Sequence, residues 1–81
     1  MTITIKLFAS LRKYLPEGSA GGKAALEVAD GATLQALIDQ MKLPPTMCHL
    51  TMINGAHQKD WSTPLEDGVE VSIFPPVAGG R

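Results

Sequence analysis

Few residues in this 81-residue chain have types and spacing that could do chemistry, and the most suggestive lie at its C-terminal end. The segment Pro75-Pro76-Val77-Ala78-Gly79-Gly80-Arg81 has no large side chain until its last residue. From Pro75 to Gly80 it can extend about 20 Å. Two prolines stiffen the base by fixing φ, which lowers the entropy lost on entering a channel. After Val77, the residues Ala78, Gly79 and Gly80 progressively thin the tip, because glycine has no Cβ to meet channel walls. A stiff base with a thin tip suits a carrier whose chemistry happens at its own end, in a partner's site.

Other reactive residues lack the company that chemistry needs. Cys48 beside His49 suggests an activated thiol, but adjacent strand residues point to opposite faces, so a catalytic pair is not expected. His49 and His57 have no metal-ligand spacing and read as structural or exposed histidines. Gly21-Gly22 lacks the Lys-Ser/Thr or strand-to-helix context of a phosphate cradle. A single cysteine excludes an internal disulfide framework, a cysteine metal cluster and an iron–sulfur centre. No metal and no bound cofactor is expected.

The elements that must position the tail are legible from periodicity. Thr2 to Phe8 alternates, with Ile3, Ile5 and Leu7 on one side, and reads as a strand with one buried face. Leu11, Tyr14 and Leu15 suggest a short helical segment over Ser10 to Leu15, ended by Pro16-Glu17-Gly18 and the Gly21-Gly22 loop. Ala25 to Ala29 is a second strand candidate. Thr33 can cap a helix whose Leu34, Leu37, Ile38 and Met41 fall at i, i+3, i+4 and i+7. Lys42 suits the negative end of its dipole, and Pro44-Pro45 prevents continuation.

Leu50 to Asn54 is a third strand, in which either Leu50 and Met52 or Ile53 face inward. Asn54-Gly55 signals a tight turn. Trp61 and Leu65 bracket a loop that closes one end of the core. After Asp67-Gly68, Val69, Val71 and Ile73 alternate with Glu70 and Ser72 in a last strand, stopped by Pro75-Pro76. Met41, Met47 and Met52 read as core or loop residues. The order predicts an α+β domain with four to five strands packed on one main helix. If the first and last strands pair at the sheet centre, the fold is a β-grasp, spanning residues 1–74 with a flexible tail at 75–81.

Composition narrows the function further. Seven Lys and Arg against eight Asp and Glu give a formal net charge of −1, without a basic stripe for nucleic acid. No apolar run approaches the roughly 20 residues that span a bilayer. The N-terminus lacks the basic stretch and apolar core of a secretory signal, so a cytoplasmic setting is expected.

Two stretches carry a family resemblance. They are Lys6-Leu7-Phe8-Ala9-x-Leu11-Arg12, and Pro64-Leu65-x-Asp67-Gly68-x-Glu70-Val71-x-x-Phe74-Pro75-Pro76-Val77-x-Gly79-Gly80. With these motifs in this order, the whole domain resembles the ubiquitin-like sulfur carriers of the MoaD/ThiS family, most of all small subunits of molybdopterin synthase. The resemblance implies a β-grasp fold and a protein that is not catalytic by itself. It implies that an E1-like adenylyltransferase uses ATP to adenylate the Gly80 carboxylate, which then becomes a thiocarboxylate. It further implies delivery of sulfur in molybdopterin synthesis, with the synthase large subunit as partner. Other acceptors in the wider family are a thiazole, a transfer RNA, an amino acid or a secondary metabolite. Conjugation to lysine amines, as a ubiquitin-like modifier, and a plain binding module are the alternatives of other classes.

Mature carriers of the family end at the second glycine, whereas Arg81 follows it here. Either a peptidase removes Arg81 or the protein has left the thiocarboxylate route; trimming is the expectation. By alternation Phe74 points outward from the last strand, where with Phe8, Pro75 and Pro76 it can form a partner interface; ordinary packing under the tail is the alternative. Leu65 is expected to pack in the core. Arg12 and Lys13 either pair with acidic groups on an activating enzyme or form a solvated helix face.

Overall fold

Ile3, Ile5 and Leu7 are the inward residues of β1 (Thr2–Leu7), each at most 1% exposed. A computed structural model describes residues 1–76. β2 (Lys23–Glu27) pairs antiparallel with β1, setting Ile3 opposite Leu26 and Ile5 opposite Ala24. This strand lies two residues earlier than the Ala25 to Ala29 alternation suggests. The Leu7 amide donates to the Gly22 carbonyl (3.0 Å), which carries the pairing back toward the glycine loop. Val28 still faces inward beyond the strand, its amide bonded to the Met1 carbonyl at 2.8 Å.

α1 (Leu34–Gln40) buries Leu34, Leu37 and Ile38 completely. Its first four amides all find acceptors, as a buried helix start requires. Leu34 donates to the Thr63 carbonyl and Gln35 to that of Trp61; Ala36 donates to the Thr33 hydroxyl and Leu37 to the Thr33 carbonyl. The Trp61–Leu65 loop is thereby fastened to the helix as well as to the core, where Leu65 is buried and Trp61 half-buried.

Lys42 does more than oppose the helix dipole. It adopts φ +59 at the position after the C-cap, where glycine is commonest. Lys42 donates to the Asp39 carbonyl and Leu43 to the Ile38 carbonyl, both at 3.0 Å, which is the Schellman closure. Leu43 and Ile38 are both core residues, so the apolar contact between them holds a non-glycine residue in the left-handed region.

β3 (Leu50–Ile53), β4 (Ala56–His57) and β5 (Glu70–Phe74) complete the sheet. The strand order is β2-β1-β5-β3-β4, and β5 runs parallel to β1 with antiparallel pairing elsewhere. The first and last strands therefore do meet at the centre, and the fold is a β-grasp: a five-stranded mixed sheet on one main helix. Asn54 and Gly55, with φ +52 and +82, make the tight turn that introduces the two-residue edge strand β4.

The register resolves β3. Thr51 stands opposite Ile73 and Ile53 opposite Val71, so Thr51 and Ile53 face the helix while Leu50 and Met52 face away. The buried Thr51 hydroxyl donates to the Gln58 carbonyl and accepts from the Trp61 indole N–H (3.3 Å), which satisfies a polar group in the core. Ser72 is also buried, on the opposite face, between Lys6 and Met52 in register.

Candidate functional site

The base of the tail is anchored in the centre of the sheet. β5 is hydrogen-bonded on both sides, and its last residue is held by its neighbours. The Phe8 amide donates to the Ile73 carbonyl (3.3 Å), and the His49 amide donates to the Phe74 carbonyl (3.0 Å). Pro75 is half-buried and Pro76 exposed, so the chain reaches the surface immediately after a fixed point. Proline at these two positions removes ladder donors just where pairing must stop.

Phe74 faces away from the helix, as alternation requires, and stacks on Phe8. Their ring centroids are 4.0 Å apart with an interplanar angle of 10°. The Lys6 ammonium lies 5.7 Å from the Phe8 centroid, within cation–π range. Leu50 stands opposite Phe74, and Met52 opposite Ser72, on the same open face. All four apolar residues are half-buried, so the face is a contiguous apolar surface at the tail root rather than a covered core. Leu50 and Met52 were the members that sequence left unresolved; the signal that places them is the strand register, which a four-residue strand does not print in its periodicity.

The structure separates Cys48 from His49. Cys48 is buried, its thiol donating to the Pro44 carbonyl at 3.4 Å, whereas His49 is exposed. Burial pushes the Cys48 thiol up from its ordinary value. The thiolate, which is the nucleophile, is therefore disfavoured. We expect Cys48 to resist iodoacetamide at pH 8 in the folded protein and to alkylate readily in denaturant, as read by intact mass. The sign of the pH dependence follows. Stability attached to this thiol is fully present below the unfolded thiol value of about 8.5 and declines as pH rises past it.

The Asp60 carboxyl is held below its usual range by the Ser62 hydroxyl (2.6 Å) and amide (2.9 Å), a turn contact in an exposed loop. His57 is exposed on β4. Among the described residues no group of His, Cys, Asp and Glu could hold a metal ion, and no helix is long and apolar enough to cross a membrane. Arg12 and Lys13 are exposed on the 3-10 helix Ala9–Tyr14, with Arg12 lying against Gly22. The expectations for Val77, Ala78, Gly79, Gly80 and Arg81 lie outside the described residues.

Comparison with known proteins gives the same geometry a family. The ThiS family model matches residues 5–80. Among solved structures, a putative molybdopterin converting factor subunit 1 from Pyrococcus furiosus is 25% identical with a TM-score of 0.69, the match covering 94% of this chain and 98% of that one. SAMP1 from Haloferax volcanii is 20% identical with a TM-score of 0.72, covering 99% of this chain and 100% of that one. The complex of subunits 1 and 2 of molybdopterin-converting factor from Helicobacter pylori contains a chain 19% identical, with a TM-score of 0.62 and coverage of 99% and 100%. The last two share the fold. No curated protein matches the chain.

Proposed function

The chain belongs to the ThiS family, and from that premise we propose that it is a sulfur carrier working from Gly80 after Arg81 is removed. The observation that carries this reading is where the family pattern runs: it extends from residue 5 through residue 80 and stops one short of Arg81. The Gly79-Gly80 pair thus falls inside the pattern and the arginine outside it.

The chemistry follows from the terminus. A free carboxylate is a poor electrophile. Its oxygen attacks the α-phosphorus of ATP on an E1-like partner, pyrophosphate leaves, and the acyl-adenylate gains a good leaving group. A sulfide-level nucleophile then adds at the carbonyl and AMP departs, leaving a C–S bond where a C–O bond stood. The resulting thiocarboxylate is a soft nucleophile delivered on a tethered tail. The small domain supplies no acid, base or metal to these steps; it contributes position, through a tail launched from the hydrogen-bonded centre of the sheet.

Molybdopterin synthesis is the acceptor pathway that the Phe74-Pro75-Pro76-Val77 segment and the Pyrococcus furiosus relative support. A synthase large subunit would then receive the tail, with Phe8 and Phe74 docking at its entrance. Intact mass of protein isolated from its own cell tests the carrier reading. The expected species ends at Gly80, part of it carrying sulfur for oxygen. Arg81 on every molecule, with no sulfur-bearing form, overturns the reading. Slower-migrating isopeptide conjugates in place of thiocarboxylate would make it a protein modifier instead.

A further inference from the structure

Charge in this domain is sorted along the strand direction, although the net value is only −1. At the end where β5 gives way to Pro75, Lys6 stands opposite Lys23. Arg12 lies against Gly22 at the same end, with Lys13 beside it on the 3-10 helix. A groove of about 510 Å³ next to the tail root is lined in part by His49, His57 and Lys59 and by no carboxylate. At the far end the signs reverse. Glu27 stands opposite Thr2, Asp30 sits 3.3 Å from the Met1 ammonium, and Asp67 accepts the Thr2 amide at 2.8 Å.

We propose that the basic end around the tail root is a docking and steering surface for an acidic rim on the activating enzyme, at the mouth of the channel that admits the tail. This inference rests on the carrier reading above and adds the chemistry of the partner's surface. Two features carry it. Lys6 lies over Phe8 with Lys23 opposite it, beside an apolar centre made by the Phe8–Phe74 stack and Leu50, and an apolar core with charge at its edge is how an interface is built. The two ends are also separated by the length of β1, about 20 Å at 3.3 Å per residue. That is about twice the Debye length at 0.1 M salt, so a partner meeting the basic end scarcely feels the acids.

Three carboxylates lie among these cations and reduce the excess without removing it. Glu70 lies 4.0 Å from Lys6 and partly neutralises it. Asp60, next to Lys59, keeps its negative charge, since the Ser62 hydroxyl and amide both donate to it, and it offsets Lys59. Glu17 follows Lys13 in the next loop, so the five cations Lys6, Arg12, Lys13, Lys23 and Lys59 outnumber the three carboxylates Glu70, Asp60 and Glu17 by two. A nucleic acid fits this surface poorly. A long polyanion would run past the basic end onto Glu27, Asp30 and Asp67, whereas a compact acidic rim touches one end alone.

The test measures association and dissociation rates of the Gly80-ending form with the activating enzyme and ATP, between about 50 and 500 mM salt, a range that spans weak to strong screening. The double variant Lys13→Glu, Lys23→Glu is expected to associate roughly tenfold more slowly at low salt, with the gap closing at high salt. Its dissociation rate should stay within about twofold, a split that simple loss of fold would not give. Asp30→Lys, at the far end, should change association less than about twofold. Equal association for wild type and double variant overturns the proposal, and so does acceleration of Asp30→Lys as large as the slowing of the other, since net charge alone would then explain both. Tighter binding of the wild type to a DNA oligonucleotide than to the enzyme also overturns it. Failure of the Gly80-ending form to be adenylated at all overturns the carrier reading and this proposal together, whereas full adenylation of that form with unaltered rates removes only the proposal.

Discussion

Leu37→Ala is expected to cost about 2–5 kcal/mol of stability, a large share of the roughly 4–12 kcal/mol that a domain of this length holds at 0.05–0.15 kcal/mol per residue. Leu37 is completely buried on a helix of only seven residues. A helix this short is not stable alone in water, so its existence depends on the face it buries against the sheet. Leu34, Leu37 and Ile38 form that face, and the helix start also holds the Trp61–Leu65 loop through two backbone hydrogen bonds. Removing the middle side chain leaves a cavity that the rigid sheet opposite cannot fill. Urea unfolding should show the midpoint falling sharply, while Gln40→Ala on the exposed side stays within about 0.5 kcal/mol of wild type. A loss under about 1 kcal/mol for Leu37→Ala would place the weight of the core elsewhere.

Phe74→Ala is expected to weaken binding to the activating enzyme by about 30-fold or more, at least about 2 kcal/mol. The domain itself should remain folded. The reason lies in where the ring sits. Phe74 is half-buried against Phe8 on the open face, so alanine removes one aromatic pair worth about 0.5–1.5 kcal/mol beyond area but opens no closed cavity. On a partner's surface, in the docking proposed above, the same ring would become fully desolvated. Phe8→Ala should behave alike, and the double variant should lose less than the sum of the singles, because the two rings act as one platform. Calorimetric titration of the folded variants against the activating enzyme checks this. Unchanged affinity in both singles would return the stack to a purely structural role.

Much of this architecture was legible because period-two and period-3.6 patterns were strong where burial is strong. Ile3, Ile5 and Leu7, then Val71 and Ile73, announced the two central strands, and Leu34, Leu37 and Ile38 the helix. What the residues could not announce was pairing. That β1 and β5 lie side by side and parallel depends on contacts between segments more than 60 residues apart in order of magnitude, about the whole domain, and local alternation carries no such information. β3 was ambiguous because its inward residue is Thr51, a polar side chain whose buried hydroxyl is satisfied by Gln58 and Trp61. β4 has two residues, too few to show a period. β2 was displaced because glycine-loop hydrogen bonding, rather than apolar spacing, sets its start. The end of α1 was marked by Lys42 and Pro44-Pro45, but the left-handed conformation of Lys42 was not, because glycine is the usual residue there.

The candidate site was legible in a different way. Phe74 was placed outward by its neighbour Ile73, and Leu65 inward by its setting in the loop, and the structure finds both there. The Phe8–Phe74 stack and the inclusion of Leu50 and Met52 needed three strands in register. The polarity of charge along the strands needed the same information, since Lys6 and Lys23 are distant in sequence and opposite in the sheet.

The central claim is that function resides at Gly80 and that Arg81 must go. Its most direct measurement offers the Gly80-ending and Arg81-ending forms separately to an E1-like enzyme with ATP, and follows pyrophosphate release together with the mass of the acyl-adenylate. Adenylate on the Gly80 form alone is the predicted result, because only that form presents a thin tip ending in the carboxylate to be activated. Equal adenylation of both forms, or of neither, would contradict the account.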